Sequence, residues 1–252
     1  MAFLRKDLEN YLNGLLPISG QDASANGLQI AGHNQIKKIA FGVSANLRTI
    51  EQATLAKADA LVVHHGLFWK GQPYPLVGVL KERVAKLLEH QCSLFAYHLP
   101  LDIHPVFGNN AMIGKLLSLP ALQIQRDGLV YISDHTYSPD ELLNLCRKHF
   151  HPQTKLFEQE NLDLGKKSWS IAWCSGAGGS FFEDINCDYF LSGEFSEHHY
   201  DLAREKKTCL IRAGHYATEQ YGIKALQEHC QIYFTLHSID IECIFIDAWS
   251  PW

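Results

Sequence analysis

Ala60-Leu-Val-Val-His64-His65-Gly-Leu-Phe-Trp69 joins a short apolar run to two adjacent histidines and a glycine. Four apolar residues, Ala60 to Val63, follow Asp59, and Gly66 closes the stretch. That is the pattern of a buried β-strand with a turn behind it. Open α/β sheets hold ligands just past the carboxyl ends of such strands. Side chains alternate in direction along a strand, so His64 and His65 can each serve a different ion.

Two further apolar strands end in the same way. Phe95-Ala-Tyr-His98 is followed four residues on by Asp102, and Leu210-Ile-Arg-Ala-Gly-His215 by Glu219. In a parallel sheet the carboxyl ends lie on one edge, so the donors are expected to converge although they are far apart in sequence. The i,i+4 spacing puts His215 and Glu219 on one face if they share a helical turn. If the helix starts only at Thr218, His215 sits in the loop before it. Imidazoles and two carboxylates with no thiolate exceed a three-ligand catalytic zinc and suit two bridged ions. Such mixed ligation fits Zn, Fe, Mn, Co or Ni. Singly, each residue has a plainer account: His98 as a satisfied polar strand end, Asp102 as an N-cap, Glu219 as a first-turn acid favoured by the helix dipole.

Elsewhere the pattern alternates. Helices are predicted over Phe3 to Leu15 (ended by Asn13-Gly14), Leu47 to Lys57 and Val79 to His90. Asn26 to Ile30 is read as a turn entering a short strand, strands are predicted at Lys38 to Ser44 and Cys92 to Tyr97, and Asn109-Asn110 is expected to cap a helix to Leu117. Pro120 marks a break. A strand from Gly128 to Ile132 precedes a helix opened by Ser138-Pro-Asp-Glu141, a capping box with proline at N1. Phe157 to Lys167 reads as a loop, and Ser168 to Cys174 as a strand leading into Ser175-Gly-Ala-Gly-Gly-Ser180. Strands at Cys187 to Ser192, Thr208 to Arg212 and Ile241 to Ile246 enclose a helix over Ser196 to Lys206 and a second, reaching Cys230, into which Gly214 to Glu219 leads.

The expected class is α/β, with a largely parallel sheet, flanking helices and a smaller α/β unit from the middle of the chain. Residues 1–120 and 188–252 are assigned to the main domain and 121–187 to an inserted lobe. The glycines of Ser175–Ser180 match no phosphate-binding spacing and are read as a tight turn. His198-His199, inside a helix, are read as surface residues.

The 252 residues are 46% hydrophobic and 19% charged, ordinary for a soluble globular protein. No apolar run approaches the roughly 20 residues that span a bilayer, and the N-terminus lacks the order of a signal peptide. A cytoplasmic protein is expected. A net charge of −5 argues against nucleic acid as a partner. Seven cysteines without a CxxC pair are read as reduced core residues. Fourteen histidines are the compositional oddity.

Val63-His64-His65-Gly66, Tyr97-His98-Leu-Pro-Leu-Asp102, Asn109-Asn110, Ser192-Gly193-Glu194-Phe-Ser-Glu197 and Gly214-His215-Tyr-Ala-Thr-Glu219, with Asn26-Gly27-Leu28-Gln29, carry a further signal. In this order they resemble the type 2 GTP cyclohydrolase I homologue family of ring-shaped dinuclear-metal proteins. The resemblance covers nearly the whole chain. It implies a two-lobed protomer, a homo-hexameric toroid and two divalent metal ions per subunit. By the same resemblance Asp102 and His65 would serve one ion, His64 and His215 the other, and Glu219 would bridge them. His98 would stand close by without an assured metal bond; as an imidazole beside the ions it is the candidate catalytic residue, a proton shuttle for ring opening. Asp201, where relatives often have His, is a departure that bears only on a supporting role.

The implied activity is hydrolytic opening of the guanine imidazole ring of GTP with release of formate, on a nucleotide substrate. Its rivals are a di-metal hydrolase of phosphoester or amide bonds and a non-enzymatic metal-handling or scaffold protein.

Overall fold

The structure, a computed structural model, describes residues 2–18, 22–73, 75–158 and 166–248. Its first elements are α1 (Arg5–Leu15), β1 (Gly27–Ile30), β2 (Lys38–Ser44), α2 (Leu47–Leu55), β3 (Ala60–His65), α3 (Gly78–Glu89), β4 (Ser93–Ala96) and α4 (Leu99–Asp102). Next come α5 (Asn109–Leu116), β5 (Gln123–Gln125), β6 (Val130–His135), α6 (Pro139–His149), β7 (Lys155–Phe157) and β8 (Trp169–Cys174). Last are β9 (Tyr189–Ser192), α7 (Glu197–Lys206), β10 (Cys209–Arg212), α8 (His215–Leu236) and β11 (Glu242–Phe245). The described chain divides into two units, residues 2–101 with 223–248, and residues 102–222.

The first unit is built on a five-stranded sheet in the order β1-β4-β3-β2-β11. β4, β3, β2 and β11 run parallel, and β1 is an antiparallel edge strand. Parallel neighbours flank β3 on both sides, which is why its sequence is a continuous apolar run rather than an alternating one. Leu61, Val62 and Val63 are fully buried, and each contributes about 1.5–3 kcal/mol by leaving water. Leu61 and Val63 pack with Ile50 and Ala53 of α2, Leu87 of α3 and Leu94 of β4. The Asn46 side-chain Oδ1 caps α2 by accepting from the Thr49 N–H at 2.9 Å.

The second unit holds a six-stranded mixed sheet, β5-β6-β8-β9-β10-β7. β8, β9 and β10 are parallel, while the β5–β6, β6–β8 and β10–β7 pairings are antiparallel. Its core gathers around Trp173, whose indole N–H donates to the Asn110 carbonyl at 2.8 Å. α6 begins with the expected capping box between Ser138 and Glu141.

Several expectations change. The segment 188–222 does not belong with the first sheet: Tyr189 of β9 pairs with Ile171 of β8, and Cys209 of β10 with Tyr189. The second unit is therefore larger than a 121–187 lobe, and it starts at Asp102. Strand-helix-strand alternation reads the same whichever sheet receives the strand. The single shared sheet edge fails for the same reason, since β3 and β4 lie in one sheet and β10 in the other. β5 and β7 were not anticipated. In the predicted loop Phe157 to Lys167, Phe157 closes β7, and residues 159–165 lie outside the described residues. Gly14 lies within α1 rather than ending it, and Asn109 is the first helical residue of α5, with Gly108 at the cap. Among the described residues no helix is long and apolar enough to cross a membrane.

Candidate functional site

In the first unit, His64 and His65 are the last two residues of β3 and His98 follows β4. Ring nitrogens of these three residues lie within 4.8 Å of one another. Each ring has its Nδ1 against a different protein group. The His64 Nδ1 lies 3.1 Å from the Tyr97 carbonyl, which can only accept, so that nitrogen carries the proton and Nε2 the lone pair. The register of β2 against β3 sets Ser44 opposite His65 and brings its hydroxyl within 2.9 Å of the His65 Nδ1. The His98 Nδ1 donates to Asp22 at 2.9 Å. Histidines that ligate metals are held in this way, the distal nitrogen presented and the proximal one bonded to an orienting group. Gly66 follows the doublet because a Cβ there would sit 2.3 Å from the Gln29 amide and 2.6 Å from Ala96.

In the second unit, Asp102 and Glu219 are both buried, and carboxylate oxygens of the two lie within 4.8 Å of each other. Asp102 Oδ1 accepts from the Asn109 amide at 2.8 Å and the Ser175 hydroxyl at 2.9 Å. α8 begins at His215 itself, so His215 and Glu219 do share a helical face, with Nε2 and Oε1 3.2 Å apart. The His215 Nδ1 meets Glu194 at 3.2 Å. Burial alone would lower the His215 pKa, but the Glu219 hydrogen bond and charge, and then Glu194, push it up to about 9.

Two buried carboxylates this close need positive charge. The neighbouring Cys174 thiol is held in its neutral form first by burial and then by the charges of Asp102 and Glu219. The donor chemistry in both units is therefore nitrogen and oxygen, and it fits a hard or borderline divalent cation.

Ser175–Ser180 makes the expected turn, with a 3₁₀ helix from Gly178, and the turn also shapes the site. Gly176 has φ +59, and a Cβ there would meet Glu219 Oε1 at 2.1 Å and His215 Nε2 at 3.1 Å. The Gly176 N–H donates to the Thr218 hydroxyl at 2.9 Å.

A third group, Glu183, His198 and His199, also has metal-like proximity. Here the tautomer argues the other way. The Ser196 N–H can only donate and meets the His199 Nδ1 at 3.0 Å, so Nε2 carries the proton and has no lone pair to give. His199 also corrects the surface reading of the doublet: its side chain is 6% exposed against 64% for His198. Adjacent helical residues point about 100° apart, so one faces inward.

Sequence reasoning missed Asp22, Ser44, Ser175 and Glu194 as partners of the donors, and treated Asn109 as a cap. Ser44 was findable, as the last residue of the strand beside β3. Asp22 precedes the Asn26-Gly-Leu-Gln stretch but carries no signal of its own.

Comparison with known proteins agrees with the fold. The family model described as Duf34/NIF3 (NGG1p interacting factor 3) matches residues 3–251. A protein of Yersinia pestis named GTP cyclohydrolase 1 type 2 homolog is 36% identical over 253 residues, covering 97% of this chain and 98% of its own. One of the same name from Neisseria meningitidis serogroup A is 38% identical over 249 residues, covering 92% and 95%. Among solved structures, the protein ybgI, described as of unknown function, superposes with a TM-score of 0.87 at 33% identity, over 99% of this chain and 100% of its own. A crystal structure of a Thermus thermophilus protein also gives 0.87, at 29% identity, over 99% and 100%. With the match running over nearly its full length, the chain belongs to the Duf34/NIF3 family.

Proposed function

We propose that His64, His65, Asp102, His215 and Glu219 hold two divalent metal ions per subunit, and that the loaded protein is a hydrolase of GTP cyclohydrolase I type. The observation that supports this reading is the pair of thiolate-free donor sets, each already oriented by hydrogen-bonded partners. Bound ions of this kind polarise a substrate and make water acidic enough to be a nucleophile near neutral pH.

The chain's own residues do the rest. His98 is the proton carrier: as the water oxygen bonds to C8, one of its protons passes to N7, and the other goes by way of the His98 Nε2 to N9 as the C8–N9 bond breaks. That step leaves a formamide, and a second water releases formate. Asn109 and Ser175 hold the Asp102 carboxylate in one orientation, and Glu194 holds the His215 ring through Nδ1.

Assembly into a homo-hexameric toroid in the cytoplasm belongs to the same proposal, and its support is the family resemblance. The test is to reconstitute purified protein with Zn, Fe, Mn, Co or Ni, count the ions bound, and assay GTP turnover through formate and pterin product. Two ions per chain and formate release are expected, both lost in His215→Ala and Glu219→Ala. Two ions bound without GTP turnover under any metal would refute the cyclohydrolase reading.

A further inference from the structure

Asp22 has no part in the donor sets, yet it is among the most constrained carboxylates of the first unit. Its side chain is 1% exposed. Oδ1 accepts from the Ser24 N–H at 3.0 Å and the His98 Nδ1 at 2.9 Å, and Oδ2 from the Asn26 amide at 2.8 Å and the Leu99 N–H at 2.9 Å. Burial would raise its pKa, but the His98 imidazole, then Asn26 and the two backbone N–H groups, outweigh burial and hold the carboxyl well below the usual range. A carboxylate out of water costs several kcal/mol unless its oxygens are satisfied, and here four hydrogen-bond donors meet it, the His98 Nδ1–H among them.

The His98 ring is also fixed from two other directions. Its backbone N–H donates to the Asn26 side-chain carbonyl at 2.7 Å. The Trp69 indole stands edge-on, with ring centroids 4.9 Å apart at 76°.

We propose that Asp22 is a positioning residue for His98: its carboxylate fixes the imidazole as the Nδ1–H tautomer and so reserves Nε2 as the proton acceptor of the site. A carboxylate accepts and does not donate, so the nitrogen facing it must carry the hydrogen. An imidazole in water favours the opposite tautomer, with the hydrogen on Nε2 and no lone pair to offer there. A loop staple alone would need only the Ser24, Asn26 and Leu99 contacts, and a neutral amide could make most of those. The fourth contact, spent on the ring, separates positioning from stapling. The inference rests on the proposed activity only for the task it gives Nε2; the tautomer itself does not depend on it.

The test uses the full chain, metal-free and labelled with ¹⁵N at histidine, above the imidazole titration range. The His98 signals are assigned by their loss in His98→Gln. Expected in the unsubstituted protein is the Nδ1–H form, with its proton strongly deshielded by the carboxylate. Asp22→Ala should move His98 toward the Nε2–H form. Should that variant fail to fold, Asp22→Asn keeps the shape and one acceptor oxygen and should still shift the Nδ1 proton upfield. An Nε2–H form in the unsubstituted protein, or signals unmoved by either substitution, would overturn the proposal. In the metal-loaded protein, Asp22→Asn should lower kcat for GTP about 100-fold with KM unchanged, and an unchanged kcat would also overturn it. Absence of turnover in the unsubstituted protein defeats the hydrolase reading, while the tautomer spectra still decide this one.

Discussion

Gly176→Ala is the substitution for which the structure gives the sharpest expectation. Two costs add at this position. The backbone has φ +59, and an alanine held in the left-handed region costs roughly 1–2 kcal/mol. The new Cβ would also lie 2.1 Å from Glu219 Oε1. An exposed carboxylate could swing aside cheaply, but Glu219 is 3% exposed and ion-paired to His215. Forcing an extra methyl into such packing costs about 1–3 kcal/mol. The sum is a loss of about 2–5 kcal/mol, read as a lower urea midpoint with unchanged slope.

Gly71→Ala is the matched control. That glycine has φ +82 and nothing within 4 Å of an added Cβ, so it should lose only the roughly 1–2 kcal/mol of strain. Displacing Glu219 should also weaken metal uptake by about 10–100-fold, the cost of disturbing a ligand's support, measured by competition with a chromophoric chelator. If Gly176→Ala costs no more than Gly71→Ala and binds metal as tightly, the packing of the glycine turn against Glu219 is wrong.

Three more expectations concern titration and capping. The His215 pKa is raised to about 9 in the fold, so its stabilising share is complete below about pH 6.5 and disappears as pH rises through 9. Metal-free protein should lose stability over that window, and His215→Gln should flatten the loss. Calorimetry of metal uptake at pH 7.5 in two buffers of different ionisation heat should show about one proton released, since the ion replaces it. His135 behaves oppositely. It is buried among Trp169, Tyr137 and Tyr189, and burial lowers its pKa against a smaller opposing pull from Asp188. Its contribution is present above about pH 6.5 and lost on acidification, because the unfolded chain takes the proton first; His135→Phe should reduce the acid sensitivity seen in thermal melts at pH 5. Ser138→Ala removes the α6 cap and should cost about 1 kcal/mol in the same melts.

The legible parts of the fold were those in which one physical demand dominates the sequence. β3 and β4 are buried on both faces and show it as unbroken apolar runs. α6 states its start through Ser138, Pro139 and Glu141. β5 (Gln-Ile-Gln) is three exposed residues, and nothing in it separates an edge strand from a loop. Which sheet receives β9 and β10 is a matter of tertiary pairing that local alternation does not encode. In the donor sets the histidines and carboxylates were readable by type and spacing, whereas their partners were not. Asn109 has the composition of a cap, and only the packed structure shows its amide turned to Asp102 and its carbonyl to the Gly222 N–H. Asp22 is ordinary in sequence and acquires meaning when β4 delivers His98 beside it.

Trp69 leaves an optical consequence. Its indole edge abuts the His98 ring, and its N–H is tied back to the Gly66 carbonyl at 3.2 Å. A fluorophore fixed at that range reports on the charge and electron configuration of its surroundings. Paramagnetic Co or Ni arriving near His98 should therefore dim its emission where Zn leaves it bright, so the protein carries a dye-free gauge of which ion it holds.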